Sequence, residues 1–289
     1  MKSQKSFDGS GPVLYLVATP IGNLEDITMR AIRILKEVDV IAAEDTRNTK
    51  NLCNYFDIQT KLVSYHEHNQ DSGGFKILSY LTEGKSVALV SDAGMPCISD
   101  PGEDIVKRAV EEGFAVVPVP GANAALSALI ASGIRPQPFL FYGFLSRHKK
   151  ERITELEKLS QKEETLIFYE APHRLKESLK SVQKAFGEDR KIVLAREVTK
   201  KFEEFVRGTV AEAIEWAEQN TIRGEFCMVI EGNDSPDAVE NEKWWEPLSI
   251  EEHVEELVEK KGMSSKEAIK EVAVDRKLSK REVYQAYHV

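Results

Sequence analysis

Short apolar runs alternate with amphipathic stretches along the chain from residue 13 onward. The first run, Val13 to Ala18, is continuous and predicts a buried strand, and apolar residues between 27 and 38 then recur at helical spacing. Further strands are predicted at 40–43, 62–64, 87–90 and 115–119, with helices near 46–56, 72–82, 102–112 and 122–132. This order predicts one doubly wound α/β domain with a parallel sheet.

A Gly- and Pro-bearing stretch at 133–138 interrupts this pattern and predicts a linker to a second domain. Beyond it, strands are predicted at 166–169, 192–195, 204–207 and 226–230, with helices near 149–160, 172–186 and 210–219. Because the strands at 192–195 and 204–207 are too close in sequence for a helical crossover, we expect a hairpin and a mixed sheet.

Turn-forming residues at 232–237 mark a second boundary. Beyond it, the S-x-x-E capping boxes at 264–267 and 279–282 each predict the start of a short helix. With a further helix predicted at 250–259, they form a three-helix unit, and its last two helices resemble a helix-turn-helix. Such a unit could cover a neighbouring surface or contact RNA. We therefore expect a loose N-terminus at 1–11, α/β domains at 12–132 and 133–234, and a helical C-terminal domain at 235–289.

Composition restricts how the protein could bind nucleic acid. The 289 residues carry a formal net charge of −9, which argues against binding through bulk electrostatics. Local basic patches at 147–152 and 261–281 remain, although each is also typical of a solvated helix face. Three widely spaced cysteines predict neither a disulfide framework nor a zinc site, and we expect no metal. The N-terminus lacks an apolar signal core and no run is long enough to span a membrane, so we expect a cytoplasmic protein.

Four loops follow predicted strands at the edge where open α/β sheets bind ligands. They are TPIGNL (19–24), EDTR (44–47), the small-residue loop 91–102 and PGAN (120–123). None contains the glycine pattern of a dinucleotide or nucleoside-triphosphate site. Small residues at 91–102 allow backbone groups to approach a flat ligand, and Asp92 can accept from a ribose hydroxyl or oppose a cation. Each loop alone is explained by helix caps and turns, but together they predict a ligand cleft.

Eight motifs in a fixed order give the chain a specific resemblance. They are TPIGNLEDIT (19–28), AAEDTR (42–47), SDAGMPCISDPG (91–102), VPGA (119–122), FYGFLSR (141–147), FYEAPHR (168–174), AREVTK (195–200) and RGEF (223–226). Over residues 12–232 the chain resembles the ribosomal RNA small subunit methyltransferase I family of the tetrapyrrole methylase superfamily. Ser146 and Ala122 stand where that family often has proline, which affects local loop shape only.

The resemblance implies an α/β fold with two domains of the tetrapyrrole methylase type, a cofactor cleft between them and a small C-terminal helical unit. It implies transfer of a methyl group from S-adenosylmethionine to the 2′-hydroxyl of a cytidine in the decoding region of small-subunit (16S) ribosomal RNA. The expected partners are that RNA or an assembled small subunit, and a second copy of the chain in a homodimer. Two alternatives share the fold: a methyltransferase acting on a tetrapyrrole carbon, and a non-enzymatic RNA-binding protein.

The resemblance also implies a set of cofactor-binding residues. From the first domain they are Pro20, Ile21, Gly22, Asp92, Ala93, Gly94, Ile98, Leu126 and Ser127, and from the second they are Tyr169, Ala195 and Glu225.

Catalytic and RNA-binding candidates come from the same motifs. A ribose hydroxyl is a weak nucleophile at neutral pH, so a base or a cation at the forming alkoxide should assist. The charged residues considered are Glu44, Asp45, Glu170, His173, Arg174, Arg196, Glu197 and Lys200. We expect Glu170 or His173 to assist deprotonation, and we expect phosphate or alkoxide binding by Arg174, Arg196 and Lys200. We expect RNA contacts from Arg47, Arg147, Lys149, Lys150 and Arg152.

Overall fold

The structure is a computed structural model that describes residues 3–6, 11–233, 245 and 247–288. It divides into two compact units, Met1–Asn233 and Asp234–Val289. The first unit contains two five-stranded sheets, and the second contains three helices. No described helix has both the length and the apolar character needed to cross a membrane.

The first sheet is parallel throughout, as the sequence predicts. Its strands are β1 (Val13–Val17), β2 (Val40–Ala43), β3 (Lys61–Ser64), β4 (Val87–Val90) and β5 (Ala115–Val119), in the order β3-β2-β4-β1-β5. Helices α1 (Met29–Glu37) and α2 (Thr46–Tyr55) pack on one face, and α3 (Gln70–Thr82) and α4 (Glu103–Glu111) pack on the other. β2 and β4 are buried along their whole length because helices cover both faces. The carboxyl ends of all five strands therefore meet at one edge.

The second sheet is mixed. Its strands are β6 (Phe139–Phe144), β7 (Thr165–Glu170), β8 (Lys191–Arg196), β9 (Glu204–Thr209) and β10 (Phe226–Ile230), in the order β6-β7-β10-β8-β9. Only β6 and β7 pair in parallel, and β8 and β9 form the predicted hairpin. Helices α6 (Lys149–Leu159), α7 (Leu175–Phe186) and α8 (Val210–Gln219) contribute to the core on one face. Strand β6 was not predicted from the sequence.

Helix α5 (Ala124–Ser132) packs on the second sheet, although its sequence follows the last strand of the first. Its buried Ala125, Ala128 and Leu129 belong to one core with Ile167 and Val193. The chain therefore passes from one sheet to the other before α5, and the stretch 133–138 connects this helix to β6.

The second compact unit contains the predicted three helices, α9 (Ile250–Lys261), α10 (Ser265–Asp275) and α11 (Lys280–His288). Capping boxes start α9 at Ser249 and α10 at Ser264, where each serine hydroxyl accepts from the backbone N–H three residues on. Apolar residues from all three helices form its core. The predicted boundary at 232–237 lies mostly outside the described residues.

In the N-terminal segment predicted to be loose, Gln4 exchanges two hydrogen bonds of 2.9 Å with the backbone of Val116 on β5.

Candidate functional site

The strand-end loops of the first sheet are tied to one another by hydrogen bonds. Thr19 and Gly94 exchange backbone hydrogen bonds of 2.9 and 3.1 Å, and the Thr19 hydroxyl donates to the Ser91 carbonyl at 3.2 Å. Gly121 lies so close to Ala18 that an added Cβ would be 2.9 Å from the alanine Cβ. These contacts hold the loops after β1, β4 and β5 as one rigid wall.

A cavity of about 390 Å³, here the inter-sheet cavity, lies between that wall and the second sheet. Its volume is within the usual range for small-molecule sites. The apolar part of its lining consists of Ile21, Ala93, Gly94, Met95, Ile98, Ala124, Phe144, Tyr169, Ala171, Pro172, Ala195, Val198, Phe226 and Cys227. Tyr169 is fixed because its hydroxyl accepts from the Ala125 N–H at 3.3 Å, and burial raises the pKa of Tyr169 to about 12, so the phenol is neutral.

A second cavity of about 550 Å³, here the α2 cavity, adjoins the first and shares Ile21, Ala93, Lys200 and Glu225 with it. The loop after β1, the start of the 91–102 loop and one face of α2 line the rest of this cavity. The lining residues that no motif predicted belong to α2: Asn48, Thr49, Asn51, Leu52 and Tyr55. Their spacing gave no ligand signal because a helix face that lines a cavity resembles any partly exposed face.

Most of the predicted cofactor residues lie around these two cavities. Those that line at least one of them are Pro20, Ile21, Gly22, Asp92, Ala93, Gly94, Ile98, Tyr169, Ala195 and Glu225. Leu126 and Ser127 line neither cavity, whereas Asn123 and Ala124, just before them in the chain, line the first. Only the very start of α5 reaches the cavity, and Leu126, two residues further along the same turn, is exposed instead.

Lys200 lies where the two cavities meet. Its ammonium donates to Glu225 Oε2 at 2.8 Å and to Glu197 Oε1 at 3.0 Å. Burial alone would lower the pKa of Lys200, but the hydrogen bonds that it donates to Glu225 and Glu197 outweigh burial and raise the pKa. Lys200 is therefore a fixed cation rather than a base at neutral pH. Gly22 is required beside it, because its φ is +153° and a Cβ would collide with the lysine side chain.

Carboxylates concentrate at the carboxyl edge of the first sheet. Asp92 is held by the start of α2, since it accepts from the Asp45 N–H and from the Asn48 amide, both at 3.1 Å. Burial raises the pKa of Glu44 and of Asp100, and the nearby Asp92 carboxylate raises both further. Carboxylates that repel one another in this way favour a cation between them. Asp100 lines the inter-sheet cavity and was not among the predicted site residues.

Glu170 lies in the wall of the inter-sheet cavity and is 2% exposed. One carboxylate oxygen accepts from the Ala171 N–H at 2.9 Å and lies 3.4 Å from Arg174 Nε, and the other accepts a short hydrogen bond from the Ser178 hydroxyl. Arg174 also donates to the Leu145 and Ser146 carbonyls, at 2.8 and 3.1 Å. With both oxygens engaged, the contacts of Glu170 are those of a group that positions Arg174 and the loop after β6.

A third cavity of about 740 Å³, here the arginine cavity, is lined by that loop and by the loop after β7. It contains Arg147, Arg152, His173 and Arg174, and it shares Phe144 and Ala171 with the inter-sheet cavity. Within the described part of the chain, the His173 side chain has no hydrogen-bond partner, and Arg147, Lys149 and Lys150 form no ion pair. The three basic side chains are therefore available to an anionic ligand, and the His173 imidazole is available as a hydrogen-bond partner.

Arg152 does not fit its predicted role as an RNA contact. It is 1% exposed, donates to the Ser181 hydroxyl at 3.0 Å and lies 3.5 Å from a Glu177 oxygen. It also donates to the Ser146 and Arg147 carbonyls at 3.4 and 3.5 Å, so it anchors the loop from inside. The expectation that Arg152 reaches RNA is corrected accordingly.

Two other predicted arginines are engaged with neighbouring residues. Arg196 donates to the Arg223 carbonyl at 2.7 Å and to Glu204 at 3.1 Å, and it lines none of the three cavities. Arg47 is exposed and forms an ion pair of 2.7 Å with Asp45, whose pKa the Arg47 hydrogen bonds lower to about 2. Among the described residues, no group of three His, Cys, Asp or Glu side chains could hold a metal ion.

Comparisons with known proteins agree with this architecture. A family model of tetrapyrrole (corrin/porphyrin) methylases matches residues 13–214. Ribosomal RNA small subunit methyltransferase I of Bacillus subtilis (strain 168) is 60% identical over 291 residues, which cover 100% of this chain and 99% of that protein. The protein of the same name from Halalkalibacterium halodurans is 56% identical, with the same coverage.

A solved structure shares the fold at much lower identity. Uroporphyrin-III C-methyltransferase from Thermus thermophilus, complexed with S-adenyl homocysteine, has a TM-score of 0.55 and 18% identity, and the match covers 76% of this chain and 97% of that one. Because the identity is so low, this likeness shows the fold alone. The family model and the full-length relatives together establish that the chain belongs to the tetrapyrrole methylases and, within them, to the ribosomal RNA small subunit methyltransferase I family.

Proposed function

We propose that the protein transfers a methyl group from S-adenosylmethionine to the 2′-hydroxyl of a cytidine in the decoding region of small-subunit ribosomal RNA. The observation that carries the choice of donor is the inter-sheet cavity, which combines apolar walls with the carboxylate of Asp100, since Glu197 and Glu225 are already paired with Lys200. The flat face of an adenine ring fits the apolar walls, and a cationic sulfonium fits the carboxylate. The choice of RNA rests on the names of relatives that match over their full length.

The donor site is proposed to comprise the ten predicted residues that line the two adjoining cavities, without Leu126 and Ser127. When bound, S-adenosylmethionine supplies an electrophilic methyl group on a positively charged sulfur. The chain's own contribution is orientation, which can provide roughly 7–11 kcal/mol when the reacting atoms are held in line. The wall tied together by Thr19 and Gly94, and the fixed Tyr169, are suited to this task.

For proton transfer, the structure favours His173 over Glu170 as the group that assists deprotonation. His173 is exposed in the arginine cavity, whereas both oxygens of Glu170 are engaged. We propose that Lys200, fixed as a cation, and Arg174 stabilise developing negative charge. Arg196 is left out of this proposal because Arg223 and Glu204 engage it.

The test is methyl transfer to small ribosomal subunits that lack the modification, with ribose methylation mapped at nucleotide resolution. We expect one modified cytidine in the decoding region, and calorimetry should show binding of S-adenosylmethionine. Methylation of a porphyrinogen in place of subunits would identify a tetrapyrrole C-methyltransferase. RNA binding without donor binding would identify a non-enzymatic RNA-binding protein. Either result would contradict the proposal.

RNA contacts are proposed for Arg47, Arg147, Lys149 and Lys150. Each phosphate contact on a single strand contributes about 0.7 to the slope of log affinity against log salt. Replacing Lys149 and Lys150 together by Ala should therefore lower that slope by about 1.4. Lys162 and Lys184, which are exposed and lie outside the 147–152 patch, provide a charge-matched control when they are replaced together by Ala. An unchanged slope in the double variant would remove the patch from the interface.

We also propose a cytoplasmic homodimer. The exposed Leu126 and Ile130, one turn apart on α5, provide apolar surface that a second copy could cover. Light scattering of the purified protein should give twice the monomer mass, and Ile130→Glu should lower it. A monomer at micromolar concentration would contradict the dimer, and recovery of the protein in the membrane fraction of cells would contradict the location.

A further inference from the structure

Phe144 is an exposed aromatic ring shared by two of the cavities. It ends β6, it is 55% exposed, and it lines both the inter-sheet cavity and the arginine cavity. Its ring contacts the Tyr169 ring edge to face, with the centroids 5.7 Å apart. Tyr169 therefore covers only part of the ring, and the exposed remainder has no structural role in the described core.

A bulge in β6 turns Phe144 toward the cavities. The β6–β7 pairing runs from Phe141 opposite Ile167 directly to Gly143 opposite Phe168, so β6 has one extra residue. In a regular strand, Phe141 and Phe144 would face opposite sides, since side chains alternate. The bulge instead places both on the same side, against Tyr169. Bulges of this kind are common beside active sites, where they redirect a side chain.

Glycine makes this bulge possible. Gly143 has a φ of +83°, a conformation that other residues rarely adopt. The extra residue, Tyr142, packs against Phe168 on the far face of the sheet. The strand thus departs from regular geometry to leave a large apolar ring half exposed, which burial alone does not explain.

A cationic and a hydrogen-bonding side chain share one cavity lining with the exposed ring. The arginine cavity places Arg147 and His173 in the same lining as Phe144, and neither has a side-chain partner among the described residues. Proteins that recognise single-stranded RNA stack an unpaired base on an aromatic ring while cations hold the backbone phosphates.

We propose that Phe144 is the platform on which the base of the target nucleotide stacks, with Arg147 at an adjacent phosphate. This proposal rests on the proposed RNA methyltransferase function and names the base-binding part of its site. The stacked base would hold the nucleotide at the boundary between the two cavities, so that its ribose faces the inter-sheet cavity.

The test compares Phe144→Leu, which keeps an apolar side chain, with Phe144→Trp, which keeps an aromatic face. Phe139→Ala is the matched control, because Phe139 is 41% exposed on the same strand and lines none of the three cavities. In methylation of small subunits, kcat/KM should fall roughly 5- to 150-fold for Phe144→Leu. It should stay within about 3-fold of the parent for Phe144→Trp and Phe139→Ala. Calorimetry should show unchanged S-adenosylmethionine affinity in all three.

A second readout does not require activity. Fluorescence anisotropy of a short oligocytidylate should show weaker binding to Phe144→Leu and near-normal binding to Phe144→Trp. Equal kcat/KM for Phe144→Leu and the parent would overturn the stacking role. A matching loss of S-adenosylmethionine affinity would overturn it too, because Phe144 would then belong to the donor site. If the parent binds oligocytidylate through Phe144 but does not methylate subunits, the proposed reaction fails while the base platform stands.

Discussion

Replacing Glu170 by Gln tests whether this carboxylate positions its neighbours or takes a proton. The substitution keeps the side-chain volume and removes the charge. The amide oxygen can still accept from the Ala171 N–H, and the Ser178 hydroxyl can rotate to accept from the amide NH₂. The substitution therefore keeps these partners and removes only the negative charge, which strengthens both hydrogen bonds and attracts Arg174 Nε at 3.4 Å.

The expected change in the free energy of unfolding follows from the loss of the Glu170 charge. A hydrogen bond to a charged group contributes about 1.5–3 kcal/mol. The Arg174 interaction is long, and Arg174 keeps its two carbonyl acceptors and partial exposure, so the lower end applies. We expect Glu170→Gln to lower the free energy of unfolding by about 1.5 kcal/mol. A general base typically accelerates a reaction by about 10²–10⁴, so a positioning role predicts a much smaller decrease in rate, within about 10-fold.

The assay is single-turnover methylation with saturating donor and subunits, combined with urea unfolding of each variant. Ser178→Ala is the matched control, because it removes the hydroxyl that fixes the carboxylate but leaves the carboxylate itself. We expect both variants to be less stable than the parent and to retain most of the single-turnover rate. A rate at least 100-fold lower for Glu170→Gln, with unchanged stability and a fully active Ser178→Ala, would refute the positioning role.

Three further predictions concern the donor site and the loop after β6. Gly22→Ala should weaken S-adenosylmethionine binding in calorimetry at least 10-fold because its Cβ collides with Lys200, whereas Gly113→Ala, also at positive φ but in open space, should not. Arg152→Met should lower the free energy of unfolding by about 2 kcal/mol, measured in urea, while Lys150→Ala changes it by less than about 0.5 kcal/mol. As pH falls, Asp100 takes up a proton earlier than an ordinary carboxyl, because its pKa is raised. Titration calorimetry should therefore show the affinity for S-adenosylmethionine falling more steeply than that for S-adenosylhomocysteine, which lacks the positive charge on sulfur.

The first sheet could be predicted almost residue by residue because each of its strands is a separate apolar run. Strand β6 could not, since it follows two prolines and its alternation is broken at Gly143. The sequence also did not indicate which of the two sheets α5 packs against. Its sequence is apolar on most sides, and the choice between two sheets is a tertiary effect that no local pattern contains.

The residues of the candidate site could be predicted where a motif follows the end of a strand. The roles of charged residues were harder to predict. Arg152 belongs to a basic run that is typical of solvent-exposed surface. However, Leu156 and Leu159 follow it at helical spacing and are buried, so Arg152 lies on the inward stripe of α6. The helical spacing of Arg152 with these leucines could therefore have predicted that Arg152 is buried. No comparable signal existed for Glu170, whose contacts with Arg174 and Ser178 depend on how β7 meets α7.

The distribution of charge links the two halves of the site. A net charge of −9 disfavours RNA binding through bulk electrostatics, and the carboxylates around the inter-sheet cavity would repel RNA while they attract the proposed cationic donor. We expect RNA to approach most favourably where cations such as Arg147, Lys149 and Lys150 lie unpaired among the described residues, beside the arginine cavity. Three such contacts correspond to a salt slope of only about 2 on a single strand, too small for tight binding by charge alone. We therefore propose that shape and stacking supply most of the affinity, and we expect a structured subunit to be a better substrate than free RNA.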